Sequence, residues 1–256
     1  MNLLKSLIAL SVVTTVSGCV VIAGTPSKAD FHQQKTLDIQ ASDLTALNVE
    51  AGAGFLKIKG VEGLDTIQVT ADIYTDKKAR DDYQLTLVKQ GDSAKLVAKN
   101  GNTSGIWNGQ SPKIDLTVQV PQSMMLDIED GSGALTIDNI VGDTKIKDGS
   151  GGIAINNVKG NLKIDDGSGS INVQDVNGDV QINDGSGSIL LEQVAGNAEI
   201  EDGSGSLTVK QVTGHVKVDD GSGGIVIDNV GSLTIVESGS GGLSVKNVKA
   251  GFEIDS

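Results

Sequence analysis

DGSGSINVQ at residues 166–174 and DVNGDVQIN at 175–183 together make one 18-residue unit, and the spacing of their apolar residues decides the fold. Ile171 and Val173 stand two apart, as do Val180 and Ile182. That is the period of a strand with one buried and one wet face, whereas a helix needs spacings of three and four. Asp-Gly-Ser-Gly opens the unit and recurs at 130–133, 148–151, 184–187, 202–205 and 220–223; a further step reaches Ser238-Gly239-Ser240-Gly241. Seven units therefore tile residues 130–255. Apolar residues recur at the sixth, eighth, eleventh, fifteenth and seventeenth positions of a unit, as in Ile153, Ile155, Val158, Leu162 and Ile164.

Two short strands per unit, joined by glycine corners, describe one coil of a solenoid. Stacking coils about 4.8 Å apart sets like residue on like, so columns of Val, Ile and Leu form a dry core that no single coil could bury. The fold class is all-β: a single-stranded β-solenoid with 18 residues per coil, right-handed by the preference of parallel connections. Glycines at the second and fourth positions imply a positive φ or a close approach between coils. Gly142, Gly160, Gly178, Gly196 and Gly214 mark the opposite corner. The column Asn139, Asn157, Asp175, Gln193, Gln211, Asn229 and Asn247 reads as structural, hydrogen-bonding up the stack. One unit slips. Within 229–237, Leu233 and Ile235 keep the register only if the corner lost a residue and the strand regained one at Val236, which predicts a bulge there.

Composition agrees with this reading. The chain has 256 residues with 34 Gly, three Pro and six aromatics, and 38% of it is apolar. So few prolines without a Gly-X-Y period exclude collagen, and the apolar share excludes disorder. Residues 36–129 carry strand patterns with less regularity, at 36–40, 44–50, 54–59, 66–74, 83–89, 93–98, 113–119 and 124–129. They read as an irregular N-terminal solenoid or cap, with Ala51-Gly52-Ala53-Gly54 a degenerate corner. The 99–112 loop carries Trp107, either a plug on the solenoid flank or a contact residue.

The first residues read as an address. Lys5 precedes an apolar run over 7–16, too short to span a bilayer and suited to a signal peptide. Val16-Ser17-Gly18-Cys19 then resembles a bacterial lipobox. The expected organisation is a signal peptide at 1–18, a lipidated Cys19 with a polar tether through residue 35, the cap at 36–129, and the coils at 130–256. Cys19 is the single cysteine, so no disulfide supports the mature chain. With 19 basic against 33 acidic side chains after cleavage, its formal charge is −14. Such an acidic body has no patch for nucleic acid and is repelled by anionic headgroups, so the acyl chains hold it at the membrane. Val20 after the cysteine points to the outer membrane by resemblance to lipoprotein sorting rules.

Gly-Ser-Gly-x-Ile-x-Val-x-x-Val-x-Gly-x-Leu-x-Ile, repeated behind a lipobox, resembles the bacterial putative-adhesin family of β-strand-repeat envelope proteins, a domain of unknown function. The resemblance covers roughly residues 36–256. It implies a β-solenoid in the cell envelope that acts by interaction.

The acidic corners offer a different surface chemistry. Asp130, Asp148, Asp166, Asp184, Asp202 and Asp220 stack one per coil. Unit charges 4.8 Å apart repel by about 0.9 kcal/mol in water and about 3.5 kcal/mol at an effective dielectric of 20. Backbone N–H groups of the corner, in an Asx-turn, are the expected offset; the alternative is a scaffold that binds or is stabilised by divalent cations. The calcium nonapeptide pattern fails, because its ligand slot holds Ile171, Ile189 or Leu207. Catalysis lacks candidates: Arg80 is the one arginine, and His215 replaces Asn or Asp at an outward corner. No catalytic, cofactor or metal residue is assigned. The outward series Thr136, Ala154, Asn172, Leu190, Thr208, Val226 and Ser244 is too mixed to match ice. What remains is a structural or interaction module for a protein or glycan partner, with Phe252 and Ile254 on a last coil open to end-to-end pairing.

Overall fold

The computed structural model describes residues 29, 31–76, 81–101 and 111–254. Among them are nineteen β-strands and no helix. The N-terminal part holds β1 (Phe31–Gln40), β2 (Ala46–Ala53), β3 (Leu56–Val61), β4 (Thr66–Thr75), β5 (Tyr83–Gln90), β6 (Ser93–Asn100) and β7 (Lys113–Pro121). The array begins in β8 (Met125–Ile140), followed by β9 (Thr144–Asp148), β10 (Gly151–Val158), β11 (Leu162–Asp166), β12 (Gly169–Val176) and β13 (Val180–Asp184). It continues through β14 (Gly187–Val194), β15 (Ala198–Asp202), β16 (Gly205–Asp220), β17 (Gly223–Glu237), β18 (Leu243–Val248) and β19 (Phe252–Ile254).

Coil stacks on coil in parallel, shifted by 18 residues. Ile153 pairs with Ile171 on one flank and Ile164 with Ile182 on the other. One ladder runs through β10, β12 and β14 into the first halves of β16 and β17 and then β18; the second runs through β9, β11, β13 and β15 into their second halves and then β19. Seven coils of about 4.8 Å give an array about 34 Å long. The β-branched and leucine columns between the ladders, such as Ile155, Val173, Leu191 and Val209, are buried.

The apolar spacing of three between the eighth and eleventh positions needs a break in strand alternation. Asn139, Asn157, Asp175, Gln193, Gln211, Asn229 and Asn247 supply it, each with φ between 53° and 61°. A left-handed residue is least costly for Asn and Asp, which accounts for most of this column. Only Asn157 to Asn139 forms the expected up-column side-chain bond with a 2.7 Å distance; Gln193 instead accepts from Gln174 and Asn247 donates to Asp228. From Gly133 to Gly223 the fourth-position glycines combine both reasons anticipated for them. Gly187 has φ 153°, and a Cβ there would stand 1.6 Å from the Gly169 carbonyl oxygen.

The slip in the sixth unit is present. Val230 pairs with Val212, Ser232 with His215, Ile235 with Val218, and Glu237 with Asp219. The corner is one residue short, and Val236 is the extra residue that restores the register.

Residues 31–121 add antiparallel pairs that the repeat did not foretell. β2 and β3 make one further coil, each parallel to part of β8. Outside it lie β6 and β7, parallel to β2 and β3. Beyond those, β5 closes on β6, and β4 lies antiparallel between β7 and β1. β1 begins at Phe31, pairing with Thr75. Residues 31–35, read from sequence as tether, are thus part of the sheet.

Candidate interaction surface

Strand alternation continues from the core into the corner. In β13, Val180 and Ile182 point inward, and so does Asp184 two residues later. The same step buries Asp130, Asp148, Asp166, Asp202 and Asp220, and all six carboxyl-bearing residues are only 1–6% exposed. The Asx-turn expected from sequence forms in the middle coils. Ser168, Ser186 and Ser204 donate their N–H groups to Asp166, Asp184 and Asp202 Oδ1 at 3.1–3.2 Å. It satisfies one oxygen only: Oδ2 of each of these three is buried without a partner. Burial pushes Asp130 up to about 7, with the Asp148 carboxyl adding to it. Burial likewise takes Asp148 and Asp202 up to about 6, helped by Asp166 for the first and by Asp184 and Asp220 for the second. Asp166, Asp184 and Asp220 are raised for the same first reason.

The flank built from the short strands is shaped differently. A shallow groove of about 880 Å³ runs along it from Ala46 and Met125 to His215 and Lys217. Leu162, Val180 and Ala198, buried members of the core columns, line its floor. One wall is a self-capping polar ladder. The N–H groups of Asn161, Asp179, Asn197 and His215 each donate to the side-chain oxygen one coil back, on Asp143, Asn161, Asp179 and Asn197, at 2.8–3.0 Å. The other wall is a column of outward charges in which Lys217 bonds Glu199 at 2.8 Å and Lys163 bonds Gln181 at 3.0 Å.

His215 therefore continues the capping ladder, with its Nδ1 2.8 Å from Ser232 Oγ. Cys19, the expected signal peptide at 1–18, Arg80 and Trp107 lie outside the described residues. Among the described residues, no group of three or more His, Cys, Asp or Glu is arranged to hold a metal ion. The cation-scaffold alternative thus has no support. Sequence reasoning missed the burial of the corner acids and the capping ladder. Both carried a signal: the two-residue step from the seventeenth position to the next Asp, and the Asn/Asp series at the fourteenth.

A family profile matches residues 44–253, most of the chain. The chain belongs to the Toastrack DUF4097 family. The Toastrack match spans the N-terminal coil and almost all of the array, the region whose repeats carried the sequence resemblance. No curated protein matches the chain. Solved structures similar to it include a "putative cell adhesion protein" from Clostridium sporogenes, 13% identical over 84% of this chain and 99% of that one, with a TM-score of 0.44. A "putative adhesin" from Bacteroides fragilis is 16% identical over 87% and 97%, again with a TM-score of 0.44. A "putative lipid binding protein" from Parabacteroides distasonis is 14% identical over 86% and 96%, with a TM-score of 0.38.

Proposed function

We propose that the chain is a lipid-anchored module of the bacterial envelope, a rod that works by contact with a protein or glycan and carries out no catalysis. The groove along the short-strand flank is the observation that carries this reading. It is long, shallow and repeated coil by coil, which suits an extended partner better than a small substrate, for which enclosed pockets are usual. Cys19 supplies the anchor, through the lipobox it closes, and the outer membrane is the location that Val20 favours. Photo-crosslinkers placed at Gln181 in the groove and at Asn172 on the other flank, in intact cells, test the contact face. Adducts are expected from Gln181; equal yields from both positions would remove the groove as the partner surface. Cys19→Ala tests the anchor, and a chain that stays with the membrane fraction after that change would refute it.

A second contact is favoured by one feature of the last described coil. Leu243, Phe252 and Ile254 are 39%, 46% and 50% exposed, at positions that are core in the coils before. The occupant that fits is the same edge of a second copy related by a two-fold axis, which covers the exposed apolar residues of both copies at once. Sedimentation of the intact chain should show a dimer that Phe252→Asp abolishes. A monomer at every concentration would rule it out.

A further inference from the structure

The corner acids do more than turn the chain. Asp130 pairs in register with Asp148, Asp148 with Asp166, Asp166 with Asp184, Asp184 with Asp202 and Asp202 with Asp220. Adjacent strands are about 4.8 Å apart, so six carboxyls stand one above another inside the wall of the rod. Both oxygens of Asp130, Asp148 and Asp220, and Oδ2 of the other three, are buried without a hydrogen-bond partner. An ionised carboxylate only accepts, so two neighbours cannot satisfy each other; a protonated one donates its O–H.

The groups around the column leave it without a counter-charge. Above Asp130 the register partner is Ala51. One unit below Asp220 the sequence places Ser238. The adjoining outward column holds Glu129, Lys147, Asp165, Asn183, Glu201 and Asp219. Its one cation, Lys147, lies in register between Glu129 and Asp165. Glu50, in register with Glu129, is held by Lys95 and Lys99. At the lower end Asp219 and Glu237 add further negative charge beside Asp220. Two residues back along each strand, on the same buried face, stand Ile128, Ile146, Ile164, Ile182, Ile200 and Val218.

We propose that the six corner aspartates form an internal proton-binding ladder, in which protons taken from solvent bridge the carboxyls of successive coils and their loss loosens the array. Each bound proton converts one carboxylate to an acid, removes one negative charge and supplies an O–H donor to the oxygens that the corner N–H groups leave unpartnered. Each released proton returns to solvent and restores an unpartnered carboxylate. The upward displacement of these groups by burial agrees in direction. Unfolded aspartates titrate near about 3.9, so between about pH 4 and 7 the folded chain binds more protons than the unfolded one. The column's contribution to stability is then full below about pH 4 and falls as pH rises through that window.

The test uses the intact chain, with carboxyl-carbon NMR titration and thermal unfolding near pH 5 and near pH 7.5, each in EDTA and in millimolar calcium. The ladder requires several aspartate resonances titrating well above about 4, and a Tm higher by roughly 5–10 °C at the acid pH, the same in EDTA and calcium. Titration of every aspartate near its unfolded value would overturn the proposal and mean that water reaches the column. So would a Tm that calcium raises while abolishing the pH dependence, since cations would then fill the role given to protons. Asp184→Asn keeps an acceptor for the Ser186 N–H and removes one titrating group. It should raise the Tm near pH 7.5 and shrink the difference between the two pH values; a loss of equal size at both would count against the ladder. Should that variant not fold, the titration of the unaltered chain decides alone.

Discussion

Asp115 in the N-terminal cap and Asp184 in the array are both buried, at 4% and 2% exposure, and they meet opposite fates. Asp115 Oδ1 accepts from the Phe55 N–H at 3.0 Å and its Oδ2 from Lys113 Nζ at 2.6 Å. Asp184 Oδ1 accepts from Ser186 N–H, and its Oδ2 has no partner. The difference follows from how the two regions are built. The cap is assembled from unlike strands, so a particular site can recruit a particular cation. A repeat places every side chain on a copy of itself. For Ile and Val that is close to ideal packing; for Asp it sets like charge on like charge, in every coil at once.

The same contrast governs the glycines, where the largest effect is expected. Gly187→Ala would put a Cβ 1.6 Å from the Gly169 carbonyl oxygen, against backbone of the preceding coil that has no side-chain freedom to yield. Several coils must shift to admit it, and a loss of roughly 4 kcal/mol or more places it among the severest single changes. In the cap, Gly63 has φ 71° and open space where its Cβ would be. Gly63→Ala should cost only roughly 1 kcal/mol, the conformational penalty alone. Thermal unfolding of both variants measures the gap. Equal losses would show that φ, not the approach of coils, dictates the corner.

How much of this the sequence announced also divides along that line. The position of both strands in each coil, the corner glycines and the extra residue at Val236 were all legible, because repetition displays each rule seven times. The direction of the corner acids was legible too, in principle: Ile182 and Asp184 are two apart, so both face inward. Polarity disguised it, since a charged residue beside Gly-Ser-Gly reads as a surface turn. The antiparallel pairs of β1 with β4 and of β4 with β7 left no such trace. Alternation in a single strand says which face is buried, not which distant strand lies beside it or in which direction it runs. Hence β1 extends to Phe31 where sequence ended the tether at residue 35. The groove wall lies between these cases. The Asn/Asp series was visible, but that its oxygens cap the next coil's N–H groups depends on coil spacing.

The two buried acids also predict opposite signs. Lys113→Met leaves Asp115 Oδ2 without its cation, and a loss of roughly 1–3 kcal/mol is expected, less than for a fully buried pair because the Lys113 side chain is 31% exposed. Asp184→Asn, by contrast, should stabilise the chain near neutral pH. Denaturation of both variants at one pH is the direct comparison. If Asp184→Asn is the more damaging of the two, the column carries a stabilising charge and the contrast between the regions collapses.

The smallest effect belongs to an acid on the cap surface, and it isolates the other limb of the pH profile. Glu50 on β2 bonds Lys95 and Lys99, and those two ammonium groups hold its carboxyl down to about 2. A depressed acid contributes stability that is present above its unfolded value, about 4.3, and lost as pH falls toward 2. The corner acids act the other way, losing stability as pH rises from about 4 to 7. The Tm of the intact chain should therefore pass through a maximum in mild acid, with the two limbs owned by different regions. Because Glu50 is solvent-facing, Glu50→Gln should lower the Tm only slightly at neutral pH and flatten only the acid limb. Asp184→Asn should flatten only the neutral limb. If Glu50→Gln moved the neutral limb as well, Glu50 would be in electrical contact with the column through Glu129, its register partner in β8, and the cap would have to be counted as part of the ladder.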